Sequence, residues 1–224
     1  MVIPRLYTYF RSSASFRVRI ALNLKGVEYQ SVPVHLVKDG GQQLQAAYRR
    51  INPDGLVPAF ADFSTEGSDV LTQSLAIMEY LEERFPEPPL LPPSAEGRAF
   101  VRSIALQIAC DIHPVNNLRV LKYLTEKLEI SDTAKHDWYR HWIHLGFDSI
   151  ENKLAKNPAV GDFVFGDTPG FADVCLVPQV WNAQRFQIPL GVYPTLLRLF
   201  DNAMSIPAFA DAAPSRQADA DETQ

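Results

Sequence analysis

Leu6-Tyr7-Thr8-Tyr9-Phe10-Arg11-Ser12-Ser13-Ala14-Ser15-Phe16-Arg17-Val18-Arg19-Ile20-Ala21-Leu22 changes its periodicity in the middle. Leu6 to Phe10 is apolar and aromatic enough for a short buried strand, and Arg11-Ser12-Ser13 interrupts it with hydroxyl residues suited to capping a helix. Ala14, Val18, Ala21 and Leu22 then stand at i, i+4, i+7 and i+8, one apolar helical face that stops at Lys25-Gly26. Glu28 to Val34 alternates and is rich in β-formers. Strand, helix and strand in that order make a βαβ unit, whose two strands are parallel.

Gly40-Gly41 breaks the chain before a helical stretch from Gln43 to Arg50, and Asn52-Pro53-Asp54-Gly55 is a turn. Val57 to Phe60 and Ser68 to Leu71 read as two short strands joined by a polar loop containing Gly67. Ser74 to Phe85 is helical, with Leu75, Met78 and Leu81 on one apolar face. Residues 1–85 therefore form an α/β domain of order β-α-β-α-β-β-α. Pro86, Pro88, Pro89, Pro92 and Pro93 mark residues 86–93 as a linker. Beyond it the pattern is helical: Ala95 to Ile112, a continuation interrupted by Pro114 and reaching Leu128, Asp132 to Lys156, Phe171 to Phe186, and Pro194 to Met204. Residues 94–213 read as an all-α domain and 214–224 as a loosely ordered, polar tail.

With 46% hydrophobic and 21% charged residues among 224, the chain has the composition of a globular protein. A net charge of −5 gives no basic field for nucleic acid or an anionic membrane. Met1-Val2-Ile3-Pro4-Arg5 lacks the pattern of a secretory signal and no run is long enough to span a bilayer, so a cytoplasmic location is expected. Two cysteines, Cys110 and Cys175, are too few for a disulfide framework or a zinc site, and both are expected to be buried and structural. His141 and His144, at i and i+3, have no third ligand in pattern. With His136 they read as a solvated helix face, and no metal is expected.

Arg11-Ser12-Ser13-Ala14-Ser15-Phe16-Arg17-Val18-Arg19-Ile20-Ala21-Leu22 resembles the signature of zeta-class glutathione transferases, the class that includes the maleylacetoacetate and maleylpyruvate isomerases. Lys38-Asp39-Gly40-Gly41-Gln42, Asn52-Pro53, Val57-Pro58, Gln73-Ser74-Leu75-Ala76-Ile77 and Leu176-Val177-Pro178-Gln179-Val180 extend the likeness over nearly the whole chain. It implies a thioredoxin-like N-terminal domain followed by an all-α domain, a homodimer, and glutathione as cofactor. Ala14 departs from the pattern, which usually has cysteine there, so no thiol chemistry arises at that position.

Ser12 and Ser13 lie at a strand-to-helix turn, where a hydroxyl and the positive helix end would favour a thiolate, and where a serine equally serves as a cap. The resemblance gives Ser12 the thiolate, with Ser13 second. It implies a cis Val57-Pro58 peptide with the backbone of Val57 on glutathione, and Gln73 and Ser74 at its γ-glutamyl end, although Ser74 is also explained by capping. Arg11, Arg119 and Arg185 are by default surface arginines. A dicarboxylate needs permanently charged, planar donors, and by resemblance these three bind substrate carboxylate. His113 and Asn117 border a polar, Pro114-containing break that is either a capped kink or, by resemblance, part of the cleft contacting glutathione or substrate. Gly170-Phe171-Ala172-Asp173 reads as a structural N-cap.

The reaction implied is glutathione-dependent cis/trans isomerisation of maleylacetoacetate to fumarylacetoacetate, a step of aromatic amino acid catabolism, by reversible thiolate addition to the double bond. Maleylpyruvate isomerisation is one alternative, and a transferase or dehalogenase acting on α-haloacids is another. A thiol/disulfide oxidoreductase is disfavoured because the first domain has no cysteine. A non-catalytic scaffold has no need of Ser12, Gln73, Ser74 and the arginines.

Overall fold

The computed structural model describes residues 3–62 and 70–220. The chain divides into two units, Met1–Pro89 with Ser205–Gln224, and Leu90–Met204.

In the first unit, β1 (Arg5–Thr8) leads into α1 (Ser13–Leu24) and then β2 (Gln30–Pro33), which pairs parallel to β1 with Arg5 opposite Gln30. Short 3-10 turns at Lys38–Gly40 and Gln42–Leu44 precede α2 (Ala46–Arg49). β3 (Ala59–Ala61) runs antiparallel to β1, with Leu6 opposite Phe60, and β4 (Leu71–Thr72) antiparallel to β3. The sheet order is β2-β1-β3-β4. The expected strand at 68–71 is realised as Leu71–Thr72, while 68, 69 and the loop with Gly67 lie outside the described residues. α3 (Ser74–Arg84) packs beside α1. Leu6, Val18, Ile20, Leu22, Phe60, Ile77, Met78 and Leu81 are fully buried. Each such side chain contributes roughly 1.5–3 kcal/mol relative to exposure.

Charged groups are buried in this core as well. Lys25, the C-cap of α1, has a fully buried side chain whose Nζ donates to Glu82 Oε2 of α3 at 2.6 Å and to the carbonyl of Pro88 at 2.7 Å. One ammonium thus joins α1, α3 and the proline-rich segment. Arg17 and Arg19 of α1 are buried too, 1% and 0% exposed.

The second unit is helical: α4 (Ala95–Leu106), α5 (Leu118–Glu126), α6 (Asp132–Ala155), α7 (Phe171–Arg185) and α8 (Pro194–Met204). α7 is buried along nearly its whole length, Pro178 included, and packs against α4 and α8. A helix apolar on all sides is a core helix. At its start Asp173 Oδ2 accepts from the N–H of Gly170 at 2.9 Å, and its Oδ1 from that of Val164 at 2.9 Å. Only half of a capping box exists, since Gly170 has no side chain to return the bond. Glycine is required there for a further reason: a Cβ on Gly170 would stand 2.8 Å from the carbonyl oxygen of Leu90. No helix among the described residues is long and apolar enough to cross a membrane.

After α8 the chain rejoins the first unit through α9 (Pro207–Ala210), which packs on α1. This corrects the assignment of residues 205–213 to the helical domain and of 214–220 to a loose tail, while 221–224 of that tail lie outside the described residues. Ala212, Ala213 and Pro214 are buried, Pro214–Arg216 is a 3-10 turn, and Asp219 Oδ2 accepts from the N–H of Phe10 at 3.0 Å. The polar composition that suggested looseness instead supplies Asp219 as an acceptor for the turn between β1 and α1.

Replacing Lys25 by Met leaves Glu82 buried without its cation and is expected to lower unfolding free energy by about 3–5 kcal/mol in urea titrations, whereas Lys25→Met with Glu82→Leu recovers most of the loss. Equal losses in both variants would contradict the pairing. Burial pushes the Asp173 carboxyl up to about 6, against the backbone N–H groups that lower it. A raised folded value favours the native state below the unfolded pKa, and that contribution disappears as pH rises through about 6. The stability difference between wild type and Asp173→Asn should therefore shrink between pH 4 and 7, by on the order of 2–3 kcal/mol.

Candidate active site

The β1–α1 turn is closed by the N–H of Ser12 donating to the Tyr9 carbonyl at 3.0 Å. Ser12 is the N-cap of α1, and its Oγ accepts from the N–H of Ser15 at 3.2 Å. The cap uses one lone pair of the hydroxyl and leaves its proton available to an outside acceptor. The first N–H groups of α1 also have no partner within the helix. Ser13 is 5% exposed whereas Ser12 is half-buried, so of the two it is Ser12 that presents a reachable hydroxyl. Arg11, half-buried, donates to the hydroxyl of Tyr9 (Nη2 at 2.9 Å), and its guanidinium lies 4.9 Å from the centre of the Phe10 ring.

Arg19 fixes this turn from below. It is 0% exposed and donates from Nη1 to Thr8 Oγ1 at 3.0 Å, from Nη2 to the Phe10 carbonyl at 3.0 Å, and from Nε to the Ala212 carbonyl at 2.9 Å. Burial lowers its pKa to about 10, which still leaves it charged at neutral pH. Arg17, 1% exposed, donates from Nη1 to Ser74 Oγ at 3.2 Å. Neither arginine was singled out from the sequence. The signal exists: Arg17 stands i−4 to Ala21 and Arg19 i−3 to Leu22, on the face that the apolar pattern buries.

The other anticipated glutathione residues also lie in the first unit. The Val57-Pro58 peptide is cis, immediately before β3. Gln73 is exposed, has a left-handed φ of 68°, and its side chain makes no capping bond to α3. Ser74, 6% exposed, opens α3 with its Oγ held by Arg17. The first-turn N–H groups of this 11-residue helix are thus left to an outside acceptor. That donor set suits a carboxylate.

In the second unit α4 runs into a π-helical segment, Gln107–Ile112, whose last turn is closed by the N–H of His113 on the Ile108 carbonyl at 2.9 Å. π-turns recur at functional sites because they re-aim the residues that follow. Gly146 of α6 makes room for this one, since a Cβ there would stand 2.3 Å from Ile112 Cδ1. The 3-10 turn Pro114–Asn116 follows and is fastened to α6 by Trp138 Nε1 on the Val115 carbonyl at 3.0 Å and by Asn116 Nδ2 on the Tyr139 carbonyl at 3.3 Å. Of the two asparagines, Asn116 faces inward, while Asn117 caps α5 by accepting from the N–H of Val120 at 3.2 Å. His113 is half-buried.

Arg119 is exposed on the first turn of α5. Arg185, exposed at the end of α7, donates from Nε to Asn182 Oδ1 at 3.1 Å and lies over the Phe186 ring at 4.3 Å. Phe186 stacks on Tyr139 with centroids 3.9 Å apart. Tyr139 is 1% exposed, and burial raises the pKa of its hydroxyl while Arg185 pulls it down. Arg185, Phe186 and Tyr139 therefore form one cluster, to which no described contact joins Arg119. Cys110, within the π-helical segment, is exposed, which corrects its assignment as a buried residue; Cys175 is buried. His144 bonds through Nδ1 to the Tyr193 hydroxyl at 2.6 Å, and among the described residues no three His, Cys, Asp or Glu converge as metal ligands would.

Residues 6–89 match the family model described as "Glutathione S-transferase, N-terminal domain". A probable maleylacetoacetate isomerase of Vibrio cholerae serotype O1 is 49% identical over 96% of this chain and 97% of its own length. The chain belongs to the zeta class of the glutathione S-transferase family. A holo structure of a maleylpyruvate isomerase, described as a bacterial zeta-class transferase, superposes with a TM-score of 0.91 at 46% identity, covering 97% of this chain and all of its own. A maleylacetoacetate isomerase from Methylobacterium extorquens AM1, with malonate and glutathione bound, superposes with a TM-score of 0.90 at 38% identity, over 97% and 99% of the two chains. In the first unit the starts of α1 and α3, at Ser12 and Ser74, both have first-turn N–H groups that no bond within the helix satisfies.

Ser12→Ala removes the cap of α1 and is expected to cost about 1 kcal/mol in urea unfolding, whereas Ser12→Asp keeps an N-capping oxygen and costs only a few tenths. An unchanged stability in the Ala variant would mean that the Ser12–Ser15 bond contributes nothing.

Proposed function

We propose that the chain is a glutathione-dependent isomerase that converts a maleyl dicarboxylate from cis to trans, with maleylacetoacetate as the first candidate substrate. The observation that carries the reading is the Ser12 hydroxyl, capped through its lone pair but with a free proton, at the start of a helix whose first N–H groups are open. Bound glutathione supplies a thiol nucleophile that adds to the double bond, leaves after rotation, and is regenerated. An unperturbed thiol has a pKa near 8.5, so only a few per cent is thiolate at neutral pH. Donation from Ser12 and the positive end of α1 raise that fraction. Ser13, being buried, acts through its backbone.

Gln73, the open N–H groups of α3 and the Ser74 hydroxyl bind the γ-glutamyl carboxylate, with Arg17 holding Ser74 in place. The Val57 backbone binds the cysteinyl part, and His113 and Asn117 serve glutathione or substrate. Arg11, Arg119 and Arg185 bind carboxylates; Arg11 is held by Tyr9 and Phe10, and Arg185 by Asn182 and Phe186, which orient their guanidinium planes before substrate arrives. The malonate in the Methylobacterium relative is a dicarboxylate, which supports this substrate class. Maleylpyruvate is the second reading, favoured by the likeness to the maleylpyruvate isomerase. A homodimer, a cytoplasmic location and a place in aromatic amino acid catabolism complete the proposal.

Arg11→Met, Arg119→Met and Arg185→Met each remove a charge-assisted interaction worth about 1.5–3 kcal/mol, so kcat/KM for the maleyl substrate is expected to fall roughly ten- to a hundredfold. Conjugation of a neutral chlorinated aromatic should survive the Arg119 and Arg185 changes. Full isomerase activity in all three variants would remove the dicarboxylate reading, and preferred turnover of a dihaloacetate by the wild type would replace it. Ser12→Asp keeps the cap but sets a carboxylate against the thiolate, so it is expected to abolish activity in a stably folded protein.

A further inference from the structure

The peptide groups of Phe10 are gripped from both sides. Its carbonyl accepts from Arg19 Nη2 at 3.0 Å, and its N–H donates to Asp219 Oδ2 at 3.0 Å across 209 residues of sequence. The next residue, Ala220, packs against a cluster of Tyr9, Phe10, Val34, Tyr48 and Val57. The C-terminal segment thus bonds the turn before Ser12 and packs against the apolar cluster to which Val57 belongs. Arg19 also holds the Ala212 carbonyl, and Gln217 Nε2 donates to the carbonyls of Asp211 and Ala213 at 2.9 and 3.1 Å. The segment is therefore anchored ahead of Asp219, and the carboxylate arrives at Phe10 on a fastened support.

We infer that Asp219 is a positioning residue for the reaction: by bonding the Phe10 amide it sets the turn in which Arg11 and Ser12 are displayed. The Ser12 N–H bonds the Tyr9 carbonyl, so the peptide that Asp219 and Arg19 hold lies inside the loop closed by Ser12. Arg19 alone fixes the carbonyl side of Phe10. With Asp219 removed, the Phe10 N–H loses its acceptor, and the turn that displays Ser12 keeps only its carbonyl-side bonds, to Arg19 and to the Ser12 N–H. Misplacement of about 1 Å in a catalytic group can cost up to a hundredfold in rate. The inference rests on the assignment of Ser12 to the thiolate.

The full chain carrying Asp219→Ala or Asp219→Asn is compared with the wild type by backbone amide hydrogen exchange, by the ultraviolet absorbance of the thiolate of added glutathione, and by steady-state kinetics. Asp219→Ala is expected to speed exchange of the Phe10 amide about tenfold or more, to weaken the thiolate signal, and to lower kcat about tenfold with KM for glutathione nearly unchanged. Exchange in α3 should stay at the wild-type rate. Asp219→Asn retains an oxygen acceptor and should restore most of each effect. Unchanged exchange at Phe10 in the Ala variant would overturn the inference, as would equal acceleration throughout β1, α1, β3 and α3, which would make the contact an ordinary fold contact. If the wild type itself gives no thiolate signal, the Ser12 assignment fails, and the exchange rates at Phe10 still decide whether Asp219 holds the turn.

Discussion

A guanidinium with no access to water holds the first unit together at the point where chemistry is expected. Arg19 carries its charge into a core where desolvation is costly, and is tolerated there because Thr8, Tyr9, Phe10 and Ala212 offer oxygens to its donors. Those acceptors are the end of β1, the turn before α1 and the chain returning after α9. An apolar residue at 19 would pack in the same space but could not specify where those three backbones stand. The arrangement makes the geometry of the turn a property of the whole unit, fixed before any ligand binds, as preorganised stabilisation of a developing charge requires.

Within this frame Ser12 has two roles that do not compete. As a cap it satisfies an N–H that the helix cannot, and as a donor it offers the proton that the cap does not use. At α3 Ser74 is the first helical residue and caps nothing; its oxygen accepts from Arg17. In the second unit the π-turn does comparable work. It inserts a residue into the helical register ahead of Pro114, which sets His113 and Asn117 off the path that α4 would have followed, while Trp138 and Asn116 lock the break to α6.

Much of this was legible in the sequence where it depends on local pattern. The βαβ opening, the terminal hairpin, the proline-rich break and the long helices follow from periodicity and turn residues, and the serine turn was visible as a cap. Arg17, Arg19 and Lys25 were not recognised because apolar periodicity treats a charge as solvent-facing, and their partners lie far off in sequence, at Ser74, Ala212 and Glu82. The C-terminal segment was misjudged for the same reason: small polar residues look loose unless the acceptors and donors they reach are known. The π-turn depends on Gly146, 34 positions after Ile112, and no local rule connects the two. The expectation of chemistry at Ser12 beyond capping, and of carboxylate binding by Arg119 and Arg185, came from family resemblance and not from spacing.

Glutathione presented as its thiolate to a maleyl double bond adds reversibly, so under the proposed function it is a regenerated nucleophile and not a consumed reactant. Following a limiting amount of glutathione with excess maleylpyruvate or maleylacetoacetate by proton NMR tests it directly. The account predicts many equivalents of the trans isomer per glutathione, with free glutathione undiminished at the end. Accumulation of one equivalent of a stable glutathione conjugate, with formation of product stopping when glutathione runs out, would contradict it.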